Sequence, residues 1–507
     1  MHLELDGNGP LHAQLTRALK TAMRSGLVAG SRLPATRLLA RELGVSRNTV
    51  MAAYEQLRAE GFIEGRVGSG SYISTSLPRA PRAAPPVEVG IEPQSAFARR
   101  MRECHKGFGG VVAEGVVHAF QCGEPMTNPM LTTVWARELS RAAQYTAPGY
   151  APIQGLPALR EATCDYLARR RGVHARPEDV LIVAGTQQAI ALIADVLVDP
   201  GDLVAIEEPH YPAIRKVLQS HGARMSTTPV DREGLVCAAL PGRGAKLVCV
   251  TPSHQFPTGA VMSLQRRMEL LDYANRHGAW IFEDDYDGEF RYDGKPLAAL
   301  RSLDDHNRVV YVGTFSKAVS PTIRLGYLIM PPQLRRDFLS AKWMSDFSSP
   351  GVEQAALAQF IGNGGFERHL RRSAQVLKER RRLLIEGLRA CSRGRLVIED
   401  SQAGMHFVVW FPGRGDAEVA ALVEHALRAR LGLYSIAPLY LRPCGHAGLV
   451  MGYGGMSTAE IEQALVLFER CLDAVFPVSA TTLPRRPVQR PTRRSRHGRS
   501  RASPGSR

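Results

Sequence analysis

Between Leu11 and Ser25 the apolar side chains Leu11, Leu15, Ala18, Leu19 and Ala22 return at helical spacing, and Gly26 supplies a stop. The pattern predicts a first helix. Gly30-Ser31-Arg32-Leu33-Pro34 breaks the chain, Thr36 is placed to cap a second helix through Leu43, and Gly44-Val45 turns the chain again. Ser46 then caps a third helix whose Val50, Tyr54 and Leu57 share one face, leaving Arg47, Asn48 and Thr49 at its exposed N-terminal end. Gly61 to Ile73, with glycines at 65, 68 and 70, reads as a two-stranded hairpin with a glycine-rich tip. From about residue 115 the period changes. Apolar runs at 180–184, 203–206, 247–250, 279–283 and 309–312 alternate with helical spacing, as from Gly185 to about Val198 and from Ser263 to His277. That alternation predicts a mostly parallel sheet covered by helices. After about Phe366 a long basic helix leads to shorter strands near 405–410 and 449–453, a smaller α+β subdomain.

Candidate chemistry sits at the ends of three of these strands. Val309-Val310-Tyr311-Val312 runs into Gly313-Thr314-Phe315-Ser316-Lys317, and a lysine amine held at a rigid strand end can form a Schiff base with an aldehyde cofactor. Thr314, Ser316 and Arg324 are placed to supply the hydroxyls and the fixed cation that a phosphorylated cofactor needs. Gly185-Thr186-Gln187 opens a helix directly after a buried strand, so free amides face whatever sits at its N-terminus. Strand 279–283 ends in Asp284-Asp285-Tyr286, where a carboxylate can keep a pyridine nitrogen protonated and a phenol can bond the ring oxygen. Alone, Thr186 is as well explained as a helix cap and the aspartates as a solvated turn. Together the three stretches point to one cofactor.

Composition adds boundaries. With 507 residues, 44% of them hydrophobic, the chain is long enough for two or three domains. No apolar run approaches a membrane span, and the first six residues lack the basic start and apolar core of a signal peptide, so a cytoplasmic location is expected. The eight cysteines are scattered and no histidine stands at ligand spacing, so neither disulfides nor a metal site is expected. The formal charge of +16 resembles a nucleic-acid signal, but nine arginines and no acidic residue lie in 481–507. Most of the excess is therefore tail. The expected division is a helix-turn-helix module over 1–76, a proline-rich linker over 77–114, a large second domain over 115–476 and a basic disordered tail over 477–507.

Helix, helix, glycine turn, helix and hairpin make a winged helix-turn-helix, which presents a helix N-terminus to the major groove of double-stranded DNA. Its wording, Leu33-Pro34-Ala35-Thr36-Arg37, Leu43-Gly44-Val45-Ser46-Arg47-Asn48-Thr49-Val50 and Gly68-Ser69-Gly70, resembles the GntR family. By that resemblance Arg37, Ser46, Arg47, Asn48 and Thr49 contact phosphates or base edges, and Arg66, Gly68 and Gly70 lie along the minor groove.

Residues 115–475 resemble a fold-type I, pyridoxal-phosphate-dependent aminotransferase. The resemblance implies that Lys317 carries the Schiff base, Asp284 pairs with the pyridine nitrogen and Tyr286 bonds the ring hydroxyl. Gly185, Thr186, Gln187, Thr314, Ser316 and Arg324 would hold the phosphate, Tyr211 would stack on the ring, and Tyr150 would reach the phosphate of the partner in a homodimer. The fusion of the two modules resembles the MocR subfamily of transcriptional regulators, which implies a regulator sensing pyridoxal phosphate, a small amine or an amino acid. Two departures from working aminotransferases agree with that reading. Phe256 stands where an asparagine would bond the ring hydroxyl, and Gly448 to Tyr453 lacks the arginine that would pair with a substrate carboxylate. Arg442 and Arg215 are the nearest substitutes. Two alternatives stay open: an active aminotransferase with a DNA tether, and a DNA-binding protein with an inert scaffold.

Overall fold

The computed structural model describes residues 3–25, 27–66, 69–76, 95–105, 114–126, 129–292, 297–399, 401–443 and 445–477. It divides into two compact units, Met1–Glu92 and Pro93–Arg507. In the first, α1 (Leu11–Ser25), α2 (Thr36–Leu43) and α3 (Arg47–Ala59) precede a hairpin of β1 (Ile63–Arg66) and β2 (Gly70–Ile73). Leu15, Leu19, Leu39, Val50, Leu57, Ile63 and Ile73 form its core. Each such aliphatic side chain, fully buried, stabilises the module by about 1.5–3 kcal/mol. The turn between α2 and α3 depends on Gly44, whose φ of 67° is a backbone that a Cβ disfavours. Ser46 caps α3 through the amide of Thr49, as its sequence position requires. Thr36 does not cap α2: Ala35 occupies the cap position and Thr36 is the first helical residue.

The second unit opens with α4 (Ala96–His105), a helix inside the stretch read as linker. Next come β3 (His118–Ala119), α5 (Pro129–Tyr145), α6 (Pro157–Arg171), β4 (Val180–Val183), α7 (Thr186–Leu197), β5 (Leu203–Glu208) and α8 (Pro212–Ser220). They are followed by β6 (Arg224–Asp231), β7 (Gly234–Leu235), β8 (Leu247–Val250), α9 (Leu264–His277), β9 (Trp280–Asp285), β10 (Val309–Thr314) and β11 (Gly326–Ile329). The eight-stranded sheet has the order β4-β11-β10-β9-β8-β5-β6-β7. From β10 to β6 neighbours are parallel, while β11 runs antiparallel to both β10 and β4. Strands β4 and β10 are buried at every residue, which is why they read as unbroken apolar runs.

The chain then forms α10 (Arg335–Asp346), α11 (Gly351–Gly362), the long α12 (Gly365–Ser392), β12 (Val397–Glu399), β13 (His406–Trp410), α13 (Asp416–Arg428), β14 (Leu431–Gly432), β15 (Gly448–Gly452) and α14 (Thr458–Val475). Strands β12, β13 and β15 make a small antiparallel sheet, and β14 pairs in parallel with β3. The segment after β3 is thereby gripped by the small subdomain: Phe120 donates to Gly432 O, and Gly452 donates to Phe120 O. Helix α4 docks on α8, where Arg100 Nε donates to Ser220 O at 2.7 Å and Phe97 meets His221 edge-on at 5.1 Å. Among the described residues no helix is long and apolar enough to cross a membrane.

Candidate functional site

Parallel strands end on one edge of their sheet, and loops leaving that edge make the crevice where ligands bind in open α/β folds. Here the edge carries a cavity of about 450 Å³ lined by Thr186, Gln187, Tyr211, Asp284, Tyr286, Thr314, Ser316, Lys317 and Arg324, with Cys122, Gly123, Phe256 and Pro321. The nine first named are residues singled out from the sequence. Gly185 immediately precedes them as the N-cap of α7, and its φ of 82° turns β4 into the helix. A Cβ at Gly185 would lie 3.4 Å from the Arg324 guanidinium. Tyr150 is 88% exposed and sits edge-on to Phe347 at 5.1 Å, outside the lining of this chain's own cavity.

Each position follows from local folding. Strand β10 buries through Thr314, Phe315 plugs the core, and Lys317 emerges into the cavity, where Nζ donates to Gly123 O. Arg324 adopts a φ of 48° before β11 turns back, and its Nη2 donates to Ala184 O at 2.8 Å. That contact sets the guanidinium beside the N-terminus of α7, where no side chain caps the free amides. Hydroxyls, amides and a fixed cation converge there, a donor set suited to a phosphate.

Adjacent residues on a strand face opposite ways, and β9 uses this to separate its two aspartates. Asp285 pairs with Arg171 at 2.7 Å and accepts from Tyr311, so it is structural. Asp284 turns into the cavity with a buried Oδ1 that has no hydrogen-bond partner among the described residues. Burial, and after it Asp285, Asp287 and Glu207, pushes Asp284 up to about 8, with Lys317 opposing. An orphaned buried carboxyl of this kind fits a protonated ring nitrogen. A phosphorylated pyridine aldehyde matches the whole set.

The ring-edge side differs from a working transaminase. Phe256 stands edge-on to Tyr211 at 5.5 Å and to Tyr286 at 5.9 Å, presenting no polar atom. Strand β15 is buried throughout, and Val450 packs with Val408 and Ile436 against Cys122 and Trp410. Among the described lining residues the cations are Lys317 and Arg324. Arg442 and Arg215 are not among them; Arg442 is exposed and its amide faces Glu208.

In the first unit, Arg37, Ser46, Arg47 and Asn48 are exposed and Thr49 is half-buried. The Ser46 hydroxyl is engaged with Thr49, both its amide at 3.1 Å and its hydroxyl at 2.8 Å, which makes Ser46 a helix cap. Arg66 is exposed and stacks over Tyr72 at 4.5 Å, while Gly70 holds a φ of 110°. Gly68 lies outside the described residues.

Residues 122–466 match the aminotransferase class I and II family, and residues 11–73 match the GntR family of bacterial regulatory proteins. The probable rhizopine catabolism regulatory protein MocR of Rhizobium meliloti is 36% identical over 467 residues, spanning 91% of this chain and 94% of its own. The chain belongs to the MocR-type regulators of the GntR family. The pyridoxine biosynthesis transcriptional regulator PdxR of Corynebacterium glutamicum is 28% identical to this MocR-type chain, covering 87% of it and 91% of itself. Among solved structures, the α-aminoadipate aminotransferase LysN of Thermus thermophilus, complexed with N-(5'-phosphopyridoxyl)-L-leucine, is 25% identical with a TM-score of 0.65. It covers 75% of this chain and 95% of its own. The MocR-type chain is thus a transcriptional regulator built on an aminotransferase fold.

Sequence reasoning missed Gly123 and the groups behind Tyr286. Gly123 carries no chemistry of its own, and its carbonyl becomes relevant only when folding sets it against Lys317. The buried carboxyls of this MocR-type site also yield a pH prediction. Asp284 sits at about 8 in the fold against about 3.9 unfolded, so its raised value adds stability below pH ~4 that is lost as pH rises through ~8. Glu207 and Glu283, pushed to about 7 by burial, and Glu289, pushed to about 8, act in the same direction. The melting temperature of cofactor-free protein should fall between pH 5 and 8.5, and Asp284→Asn should flatten that fall without abolishing it. An unchanged slope in the variant would remove Asp284 from the account.

Proposed function

We propose that this regulator binds pyridoxal phosphate through Lys317 and converts occupancy of the site into a change in DNA affinity. One observation carries the reading: the cavity gathers partners for a phosphate, a ring nitrogen and a ring oxygen, and the two cations of its described lining, Lys317 and Arg324, would both be taken by that cofactor. A substrate carboxylate would enter without a paired cation, at a heavy desolvation penalty. When bound, the cofactor supplies an electrophilic aldehyde and an electron-withdrawing ring. The chain's own residues do the rest. Arg324, Thr186, Ser316 and the α7 amides bind the phosphate, Asp284 holds the ring-nitrogen proton, Tyr211 stacks on the ring and Tyr286 faces its oxygen.

The exposed N-terminal end of α3, together with Arg37 of α2 and Arg66 of β1, is the proposed DNA surface. Exposure of Tyr150 outside its own cavity supports a homodimer in which it completes the partner's phosphate site. Any effector, a small amine or amino acid, acts only by preferring one cleft conformation, and its differential affinity sets the change in DNA binding. Such a protein works in the cytoplasm, where promoter and cofactor meet.

The test is DNA affinity for the region upstream of its own gene, at one fixed salt concentration, with and without pyridoxal phosphate. A specific, cofactor-dependent shift is expected, and tight binding indifferent to cofactor would sink cofactor sensing. The intact Lys317, Asp284 and Arg324 set favours one second reading, an active aminotransferase. That reading requires sustained conversion between pyridoxal and pyridoxamine forms with some amino acid.

A further inference from the structure

Behind Tyr286, and outside the lining of the cavity, three buried side chains come together from distant parts of the chain. His254 follows β8, Asp287 follows β9 and His406 opens β13. They are 2%, 2% and 1% exposed, and one ligand atom of each lies within 4.8 Å of the others. Gly404 leaves the room for them, since a Cβ there would run into both the His254 ring and Asp287 Oδ2. Residues so far apart along the chain show no ligand spacing, which is why the sequence alone predicts no metal here.

The hydrogens of the cluster can be assigned one by one. Ser401 Oγ donates to Ala403 O at 3.2 Å, so its oxygen accepts from His254 Nε2, 2.8 Å away. That fixes the tautomer. With its hydrogen on Nε2, the neutral ring turns a bare lone pair at Nδ1 toward Asp287 Oδ2, 2.8 Å away. A carboxylate only accepts, so two acceptors face each other. Tyr286 has a single hydrogen, and its hydroxyl lies against both Asp287 and Nδ1; serving either one leaves the two acceptors opposed. The His406 ring donates to the backbone at Pro257, while its Nε2 is buried with no partner among the described residues. Three lone pairs thus share one dry space. A second proton on His254 would pair that ring with Asp287 but leave His406 Nε2 orphaned, whereas a divalent ion takes all three at once.

We propose that His254, Asp287 and His406 form a binding site for a divalent transition-metal ion of the zinc class, with the Tyr286 hydroxyl or a water in the fourth position. Two imidazoles and one carboxylate are the nitrogen and oxygen ligands that suit such an ion. Metal-ligating histidines have their other N–H held by an oxygen, and here Ser401 Oγ holds that of His254 and the backbone at Pro257 that of His406. A tetrahedral zinc keeps its donors roughly 3.3 Å apart, so the three close on it by shifts of at most about 1.5 Å. The ion ties the loops after β8 and β9 to the first residue of β13, and so the large sheet to the small one. This site goes beyond the cofactor reading and does not depend on it.

The test uses the full-length protein without an affinity tag, freed of pyridoxal phosphate, stripped with a chelator, loaded with zinc ion alone and dialysed before its metal content is counted. About one zinc per chain should remain. His406→Gln should lose it. Ser401→Ala keeps all three ligands but drops the partner of His254 Nε2, and should weaken zinc binding about 10- to 100-fold. Zinc should raise the melting temperature of the wild type and leave that of His406→Gln where it was. If His406→Gln does not fold, Ser401→Ala carries the comparison.

Wild-type protein that keeps no zinc overturns the inference. Zinc held equally well by the wild type, His406→Gln and Ser401→Ala also overturns it, because the ion then sits elsewhere. A His254 ring that stays doubly protonated in zinc-treated protein, read by NMR of the ring nitrogens, marks a plain ion pair with Asp287 and overturns it as well. Borohydride trapping of pyridoxal phosphate on Lys317 is read separately, so the cofactor reading stands or falls on its own.

Discussion

Lys317→Ala should abolish borohydride-stable attachment of pyridoxal phosphate and remove the cofactor-dependent part of DNA binding. The side chain is the amine of the described cavity lining, so no neighbour can take over the covalent bond. The phosphate cradle survives the substitution, because Arg324 is held on Ala184 O and the α7 amides are backbone. Weak, reversible cofactor binding should therefore persist while trapping falls to zero, as read by intact-protein mass. DNA affinity of the variant at fixed salt should be the same with and without cofactor. A variant that still answers pyridoxal phosphate like the wild type would show that phosphate binding alone drives the response, and Lys317 would lose its place in the switch.

Arg47→Ala should lower operator affinity roughly 5- to 150-fold, the equivalent of about 1–3 kcal/mol for one lost base or phosphate contact. Arg47 is the first residue of α3 and is exposed, so its removal leaves the module's core intact. Two patterns separate its roles. Uniform weakening across sequences, with a salt slope smaller by about one, marks a phosphate contact, whereas relaxed preference at one operator position marks a base contact. Ser46→Ala is the informative control. Its hydroxyl is spent on the Thr49 amide, so its loss should cost about 1 kcal/mol of module stability and show first in thermal unfolding. Unchanged binding by Arg47→Ala over all sequences would move the DNA surface away from this helix end.

Much of the site was legible because its chemistry sits at strand ends, and strand ends are marked by where apolar runs stop. Lys317, Asp284 and Thr186 all follow such runs, and the sheet edge gathers them whatever the intervening loops do. The choice of Asp284 over Asp285 followed from family resemblance; the structure supplies its reason in the alternation of β9 and the ion pair with Arg171. His254 was not legible as a partner of Tyr286. Its contacts reach 32, 33 and 147 residues along the chain, and no local pattern encodes such distances. Helix α4 escaped because its proline-rich approach outweighed a short amphipathic stretch of ten residues whose docking surface, α8, lies more than a hundred residues away.

The contact between Lys317 and Gly123 ties the proposed site to the rest of the fold. The amine of Lys317 is bonded to the carbonyl of Gly123, and Gly123 belongs to a segment gripped by β14 and β15 of the small subdomain. A nitrogen joined to a ligand's carbonyl carbon keeps fewer hydrogens and a new direction, so that contact would have to change. If Lys317 takes the cofactor as proposed, the lysine would be a latch as well as an anchor: the contact to the segment held by β14 and β15 would be given up at the same atom that captures the ligand.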